Sequence, residues 1–184
     1  MPLPILLYHR IDETCAPAYR RWTVSPSKFA RHLDLLRDRG CRPMTMAEVG
    51  DHLAAGVALP ERSVAITFDD GLADFHDNAL PILERYGFAS TLFVTTGHVG
   101  GAASWLAPLG EGDRKMLSWA QVAQLPQRNV ECGAHSHTHL ELDTLSIAAM
   151  KREVLLSKAL LEEHLGRPVV SFAYWLYDQP ADDA

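Results

Sequence analysis

The sequence has few cysteines, and their arrangement matches neither a disulfide framework nor a thiolate metal site. Only Cys15, Cys41 and Cys132 occur among 184 residues, an odd number at spacings unlike those of zinc-binding motifs. Small secreted domains that depend on disulfides are rich in cysteine. The scarcity therefore excludes a disulfide-stapled scaffold and favours a chain that folds in a reducing compartment.

Long apolar runs are also missing. No stretch approaches the roughly 18 consecutive apolar residues of a membrane-spanning helix. The N-terminal residues 1–7 lack the basic region and the small-residue cleavage site of a signal peptide. We therefore expect no membrane span and a cytoplasmic chain, whereas a longer N-terminus would make it an exported protein.

Basic residues are outnumbered and scattered. Seventeen Lys and Arg stand against 23 Asp and Glu, which gives a net charge of −6. Proteins that bind nucleic acid present a basic patch, and this charge argues against such a partner. The length and the 47% hydrophobic content instead suit one domain, residues 1–184, with a sizeable core.

Apolar strands and amphipathic helices alternate along the chain. Helix starts are marked by a serine followed by proline at Ser25, and by capping boxes at Thr45 and Ser118. Such alternation predicts parallel βα units with both sheet faces covered, either as an open doubly wound sheet or as a barrel. The predicted strands span 3–11, 63–69, 91–95, 130–134 and 169–175, and the predicted helices 25–40, 45–56, 73–86, 118–125 and 146–165.

Two segments between the predicted elements are predicted to form loops. Residues 12–22 are predicted to form a polar loop without periodicity, and residues 97–112 a Gly- and Ala-rich rim or lid loop. The last helix is predicted to bury Ile147, Met150, Val154, Leu161 and Leu165.

Two adjacent carboxylates, Asp69 and Asp70, end the apolar run that begins at Ser63. Ligands and catalytic groups collect at the carboxyl ends of strands in α/β sheets. Neighbouring like charges oppose joint ionisation unless a cation or a proton relieves them. The alternative is a polar strand-to-helix turn in which one Asp caps the helix.

A histidine cluster, Gly133-Ala-His-Ser-His-Thr-His139, follows a later strand. His135 and His139 are four residues apart, which places both on one face of a helix or of a strand. Two imidazoles and one carboxylate make a three-ligand metal site with open positions. The cluster could instead be a solvated polar loop, but the Asp pair and the histidines each supply ligands that the other lacks.

These two stretches resemble a known family. Thr67-Phe-Asp-Asp-Gly71 and His135-Ser-His-Thr-His139 are similar to the first two motifs of the polysaccharide deacetylases, the NodB-homology proteins of carbohydrate esterase family 4. The two motifs together are highly specific. The resemblance implies an incomplete or distorted (β/α)7 barrel of the NodB-homology type.

Other segments extend the resemblance over residues 4–174. Residues 78–83 and 89–94 also resemble this family. The opening residues 4–10, together with 24–29, are similar to the subgroup that deacetylates poly-N-acetylglucosamine.

Carried over by motif, the resemblance assigns candidate roles. Asp69 would be the general base, and Asp70, His135 and His139 would bind a divalent metal, commonly zinc. In the subgroup resembled, the motifs are circularly permuted, and a Tyr-His near the N-terminus replaces the usual C-terminal histidine acid. His9 is therefore the candidate acid, with a histidine that only packs at a strand end as the alternative.

The implied activity is that of a metal-dependent hydrolase that removes N-acetyl or O-acetyl groups from an acetylated polysaccharide or sugar. Tyr174 is the candidate substrate-binding residue, and Trp105 and Trp119 are further surfaces on which a sugar could stack.

The C-terminal stretch departs from the family. The third motif normally places a proline and then a glycine after Phe-Ala-Tyr, and it donates a backbone N–H to the oxyanion. Here Trp175 follows Tyr174, no glycine comes next, and a polar tail ends the sequence. We therefore predict a C-terminally shortened barrel, in which either one edge of the sheet is left open or the missing segments misplace the oxyanion donor.

This departure leaves two further functions open. One is a degenerate or truncated family member that binds metal or glycan without turnover. The other is a metallohydrolase that acts on a small amide, and a closed pocket would favour this function.

Overall fold

The computed structural model of the chain describes residues 2–174, so Trp175 and the polar tail lie outside the described residues. Every pair of strands in this part of the chain is parallel, which confirms the predicted α/β class. The strands are β1 (Ile5–Tyr8), β2 (Arg10–Ile11), β3 (Thr23–Val24), β4 (Arg42–Met44), β5 (Ser63–Phe68), β6 (Ser90–Val94) and β7 (Val130–Ala134).

Strand β5 is the centre of the main sheet, whose order is β1-β5-β6-β7. All six of its residues are buried, as expected of a parallel strand covered on both faces. Ala65 pairs with Ile5 on one side and with Met44 on the other, so β4 and β6 share one edge of β5. Strands β2 and β3 form a separate two-stranded sheet.

The helices begin where the capping residues predict. Ser25 accepts a hydrogen bond from the Lys28 N–H, and complete capping boxes form at Thr45 and Ser118. Gly87 and Gly166 end two of the helices in the left-handed conformation. The α-helices are α1 (Pro26–Asp38), α2 (Met46–Ala54), α3 (Leu80–Tyr86), α4 (Trp119–Gln124) and α5 (Ile147–Leu165).

Two predicted segments contain an element that the sequence did not indicate. The predicted helix 73–86 forms, but it includes a π-helical turn, Phe75–Ala79, in which the Leu80 N–H bonds to the Phe75 carbonyl; Pro81, which has no N–H, lies just beyond this turn, in the first turn of α3. The predicted loop 12–22 contains a 3₁₀ helix, Pro17–Trp22.

The predicted last strand is reduced to one bridge within the described residues. Phe172 pairs in parallel with Ala134 at the far side of β7. The Ala134 N–H donates to Ser171 O, and the Ala173 N–H donates to Ala134 O, both at 3.0 Å. The chain therefore continues the sheet beyond β7 only briefly, and residues 171–173 and β1 form the two open edges of the sheet in the part described.

The predicted inner face of α5 was partly wrong. Ile147 is 69% exposed, whereas Leu161 is buried together with the polar residues Glu153 and Ser157. Helical spacing identifies a face, but it does not reveal that a polar group on that face has a buried partner. Glu153 has such partners in the N–H groups of His137 and Thr138.

The core has two parts. The main cluster packs between the sheet and the helices and includes Phe29, Phe68 and Leu92. A smaller cluster, with Leu72 and Leu106 among its members, lies under the segment that follows β6. No helix within residues 2–174 is long and apolar enough to cross a bilayer.

Candidate functional site

Strand β5 ends in a tight turn that carries the two aspartates. Asp70 has a φ of 77° and Gly71 a φ of 87°, both in the left-handed region. Backbone hydrogen bonds fix the turn: the Asp69 N–H donates to Tyr8 O at 3.0 Å, and the Thr95 N–H donates to Asp70 O at 3.1 Å. Neighbouring strands β1 and β6 thus hold both carboxylates at the carboxyl-end rim of the sheet.

The histidines follow β7 in an irregular turn, and not on a helix or strand face as their spacing suggested. Ser136 and His139 have φ values of 58° and 61°. The Ser136 hydroxyl accepts a hydrogen bond from the His139 N–H at 3.1 Å, which folds the turn back on itself. Because β5 and β7 are parallel strands of one sheet, this turn lies at the same rim as the aspartates.

Asp70, His135 and His139 converge as predicted. The Asp70 Oδ1 atom lies 3.1 Å from His139 Nε2 and 3.6 Å from His135 Nε2. One candidate ligand atom from each residue lies within 4.8 Å of the others. A buried set of two imidazoles and one carboxylate suits a tetrahedral metal site that keeps one position open, so these residues could hold a divalent metal.

A hydrogen bond fixes the orientation of the His135 ring. Its Nδ1 lies 3.0 Å from the Ala173 carbonyl oxygen, which can only accept, so Nδ1 carries the proton. The lone pair is then on Nε2, the atom that faces Asp70. Partners of this kind orient metal-binding histidines and raise their basicity.

Burial and neighbouring groups shift the pKa values of His135, Asp69 and Asp70 in different directions. Burial lowers the pKa of His135 to about 4, so this imidazole is neutral, as a metal ligand must be. It raises the pKa of Asp69 to about 7, with the charge of Asp70 acting in the same direction. Burial alone would also raise the pKa of Asp70, but the hydrogen bond from His139 and the charge of His139 bring the pKa of Asp70 below its ordinary value.

The cluster lies at the floor of a groove of about 870 Å³. His9, between β1 and β2, lines this groove with the two aspartates, and Tyr174 lies exposed on its wall. Burial lowers the pKa of His9 from its ordinary value. The structure therefore places all six predicted site residues around one groove: His9, Asp69, Asp70, His135, His139 and Tyr174.

Aromatic side chains form much of the groove wall. Trp105, from the predicted rim loop, stacks on the His139 ring at 4.7 Å between centroids and 16° between planes. Trp119 does not line the groove: it packs against the main core and stacks on His164. His137 also lies outside the groove lining, and its Nδ1 is 3.0 Å from the Thr96 hydroxyl.

Sequence reasoning missed the part of the wall built by the 3₁₀ helix Pro17–Trp22. Tyr19 and Trp22 pack together at 5.2 Å, and the Arg21 guanidinium lies 4.2 Å from the Trp22 ring centroid. All three line the groove. Two aromatic residues within a polar stretch were the only local signal, because this segment has no periodicity.

Comparisons with known proteins agree with this geometry. A family model for polysaccharide deacetylases matches residues 56–175, more than half of the chain. The YxkH protein of Bacillus subtilis (strain 168) is 27% identical over 179 residues, which cover 96% of this chain and 58% of that protein. The chain thus spans less than two thirds of the length of that relative.

Two further similarities concern named deacetylases and their relatives. The poly-beta-1,6-N-acetyl-D-glucosamine N-deacetylase of Escherichia coli (strain K12) is 27% identical over 133 residues, or 70% of this chain and 20% of that protein. The structure of IcaB from Ammonifex degensii superposes with a TM-score of 0.79 at 29% identity, over 94% of this chain and 73% of that one. With its motifs, its parallel α/β fold and its family match, the chain belongs to the polysaccharide deacetylase family.

Proposed function

We propose that the protein is a zinc-dependent hydrolase that removes acetyl groups, N-linked or O-linked, from an acetylated polysaccharide or oligosaccharide. The observation that carries the proposal is the convergence of Asp70, His135 and His139 beside a partly buried Asp69 in a groove. A metal in this family acts as a Lewis acid that polarises the carbonyl and water.

Asp69 is proposed to accept the proton of the attacking water. Its Oδ1 atom is buried and has no hydrogen-bond partner within residues 2–174, so this oxygen is an unused hydrogen-bond acceptor. A carboxyl group with a pKa of about 7 is a stronger base than an ordinary aspartate. A general base works best when its pKa is near the pH at which the enzyme operates.

His9 is proposed to protonate the departing amine, because an amide anion is too poor a leaving group. It lines the same groove as Asp69. Since burial lowers the pKa of His9, the protonated imidazole is a stronger acid than an exposed histidine would be, which favours delivery of the proton.

The shape and chemistry of the groove favour a sugar polymer over a small amide. Exposed Tyr174 and the flat faces of Trp22 and Trp105 offer surfaces on which sugar rings stack. A small amide would be bound in a closed pocket. The similarity to poly-beta-1,6-N-acetyl-D-glucosamine N-deacetylases supports an N-acetylglucosamine polymer as the substrate.

The experiment combines zinc content by elemental analysis with acetate release from N-acetylglucosamine oligomers. Wild type is expected to hold about one zinc per chain and to release acetate. Asp69→Asn is expected to keep the zinc and to lose about 10²- to 10⁴-fold in rate, the usual contribution of a general base. The matched control is Asp51→Asn, an exposed aspartate of α2 outside the groove, which should match wild type.

Two outcomes would contradict the proposal. If the wild type binds no zinc, the proposed metal centre is wrong. A wild type that binds zinc but releases no acetate would favour the alternative of a family member that binds metal or glycan without turnover, which the altered stretch after Tyr174 also favours.

A further inference from the structure

A buried carboxylate lies directly behind the histidine turn. Glu153 is in the middle of α5 and is only 8% exposed. Within residues 2–174 it forms no ion pair with a Lys, Arg or His side chain. A buried carboxylate without an ion pair destabilises the fold unless hydrogen bonds compensate it.

The carboxylate binds the backbone of the turn that joins His135 to His139. Glu153 Oε2 accepts from the His137 N–H at 2.9 Å and from the Thr138 N–H at 2.7 Å. The other oxygen, Oε1, accepts from the Thr138 hydroxyl at 2.9 Å. One side chain thus satisfies three donors on two successive residues, and charged acceptors make hydrogen bonds of this kind strong.

The turn needs such support because its backbone is strained. Ser136 and His139, on either side of the two bound residues, have positive φ values. Non-glycine residues persist in that region only where the surrounding structure holds them. If the Glu153 side chain were absent, the N–H groups of His137 and Thr138 would lose their acceptor.

The opposite side of the turn is held by the segment after β6. The Gly97 N–H donates to His137 O at 2.7 Å. A Cβ atom on Gly97 would lie 2.6 Å from the same oxygen, so the two backbones can approach this closely only because residue 97 is glycine. The turn is therefore clamped between residue 97 and α5.

We propose that Glu153 is a positioning residue for the metal centre, which holds the 136–139 turn so that His135 and His139 point at Asp70. The inference rests on the proposed metal function, and it adds a residue that touches neither metal nor substrate. Residues outside the ligand set that orient metal ligands affect metal affinity by about 10- to 100-fold.

Three substitutions of Glu153 separate the contributions of its side-chain length, its charge and its size. Glu153→Gln keeps the length and one carbonyl oxygen, which can accept both N–H bonds, while its amide can donate to the Thr138 hydroxyl. Glu153→Asp keeps the charge but is one methylene too short to span the same distance. Glu153→Ala removes the group entirely. The control is Leu161→Ala, which removes a buried side chain from the same helix, eight residues and about 12 Å along the axis from Glu153.

The measurement is the dissociation constant for Zn²⁺, obtained by competition with a chromophoric chelator, together with the absorption spectrum of the Co²⁺-substituted protein. We expect Glu153→Asp and Glu153→Ala to weaken Zn²⁺ binding about 10- to 100-fold and to shift the Co²⁺ bands. Glu153→Gln should stay within about threefold of wild type. Leu161→Ala should lower the melting temperature with unchanged Zn²⁺ affinity.

Each of the other outcomes has a distinct meaning. Equal Zn²⁺ affinity in wild type and Glu153→Asp would contradict the positioning role of Glu153. So would a loss of Zn²⁺ affinity in Leu161→Ala as large as the loss in Glu153→Ala. Weak binding by Glu153→Gln with normal binding by Glu153→Asp would show that the charge matters and not the hydrogen bonds, which also overturns it. A wild type that binds no Zn²⁺ would overturn the metal centre itself. If Glu153→Ala does not fold, the Zn²⁺ affinities of Glu153→Gln and Glu153→Asp still test the proposal.

Discussion

Asp69 and Asp70 are adjacent in the sequence, but their surroundings give the two carboxyl groups opposite protonation behaviour. Asp70 lies against two imidazoles that favour its charged form, so its pKa is below the ordinary value. Asp69 has burial and the charge of Asp70 acting on it, and its pKa rises to about 7. Environments that separate two carboxylates in this way suit one for a cation and the other for a proton.

A third aspartate in this region makes a prediction about stability. Burial raises the pKa of Asp74 to about 7, and the hydrogen bond from the Ile11 N–H to its Oδ2 and the charge of Arg10 only partly oppose this. Because its pKa is higher in the folded than in the unfolded chain, the folded state binds the proton more tightly. Its contribution to the free energy of unfolding is therefore present below about pH 4 and is lost as the pH rises to about 7.

Asp74→Asn removes this titration and keeps an oxygen that can accept from Ile11. We expect the metal-free variant to be more stable than metal-free wild type at pH 7.5, by about 4 kcal/mol at most, with a smaller advantage at pH 4.5. Urea titrations of EDTA-treated protein at the two pH values measure the difference. An advantage of equal size at both would contradict the prediction.

At the scale of elements, a buried ion pair ties β2 to the segment between β6 and α4. Arg10 is 1% exposed and donates to Glu111, which is fully buried, at 2.9 Å. Glu111 also accepts from the Ala16 N–H and from Arg114. Arg10 follows the candidate acid His9 directly, so the pair joins β2, which begins next to His9, to the segment that carries Trp105.

Loss of Glu111 alone should destabilise the protein more than replacement of both Arg10 and Glu111 by apolar residues. Arg10 also pairs with the partly exposed Asp12, so Glu111→Ala removes the fully buried one of its two carboxylate partners, and we expect a loss of about 3 kcal/mol. The double variant Arg10→Met, Glu111→Leu should lose less than Glu111→Ala alone. Urea unfolding of the single and double variants measures the coupling.

An exposed ion pair provides the control. Glu84→Ala breaks the pair between Arg128 and Glu84, both partly exposed, and should cost no more than about 1 kcal/mol. If Glu111→Ala costs no more than Glu84→Ala, the buried pair does not anchor the segment.

At the scale of the whole molecule, the sheet has two open edges within residues 2–174. Strand β1 pairs only with β5 in this part of the chain. Ile5 and Leu7 on that strand are exposed, as are Val170 and Phe172 near the other edge. Unpaired apolar edges are sites where sheets join edge to edge. That residues 1–184 form a single domain stays a prediction.

The open edge predicts self-association. Ile5 is 54% exposed on β1, and a lysine there should oppose pairing of edges. We expect static light scattering to show association of wild type as concentration rises, and clearly less for Ile5→Lys. Ile147→Lys, the same substitution at an exposed residue of α5, is the control and should behave like wild type. Similar scattering by all three proteins would contradict this prediction.

The sequence by itself determined the features whose causes are local. Ser25, Thr45 and Ser118 cap helices through side chains that reach backbone groups three residues away, so their positions were predictable. The buried run of β5 and the carboxyl ends of β5 and β7 were predictable from apolar patterning. Since both strands were predicted to be parallel, the meeting of Asp70 with the histidines followed.

Only the tertiary structure decided the features whose causes lie far away in the chain. Strand β4 has three residues, one of them Pro43, and exists because β5 offers an edge. Trp22 joins the groove because its 3₁₀ helix packs beside residues that follow β6. Glu153 is buried because the N–H groups of His137 and Thr138, in a turn about 16 residues earlier in the chain, donate to its carboxylate. Local patterns carry no information about partners at that distance, and packing against them set these positions.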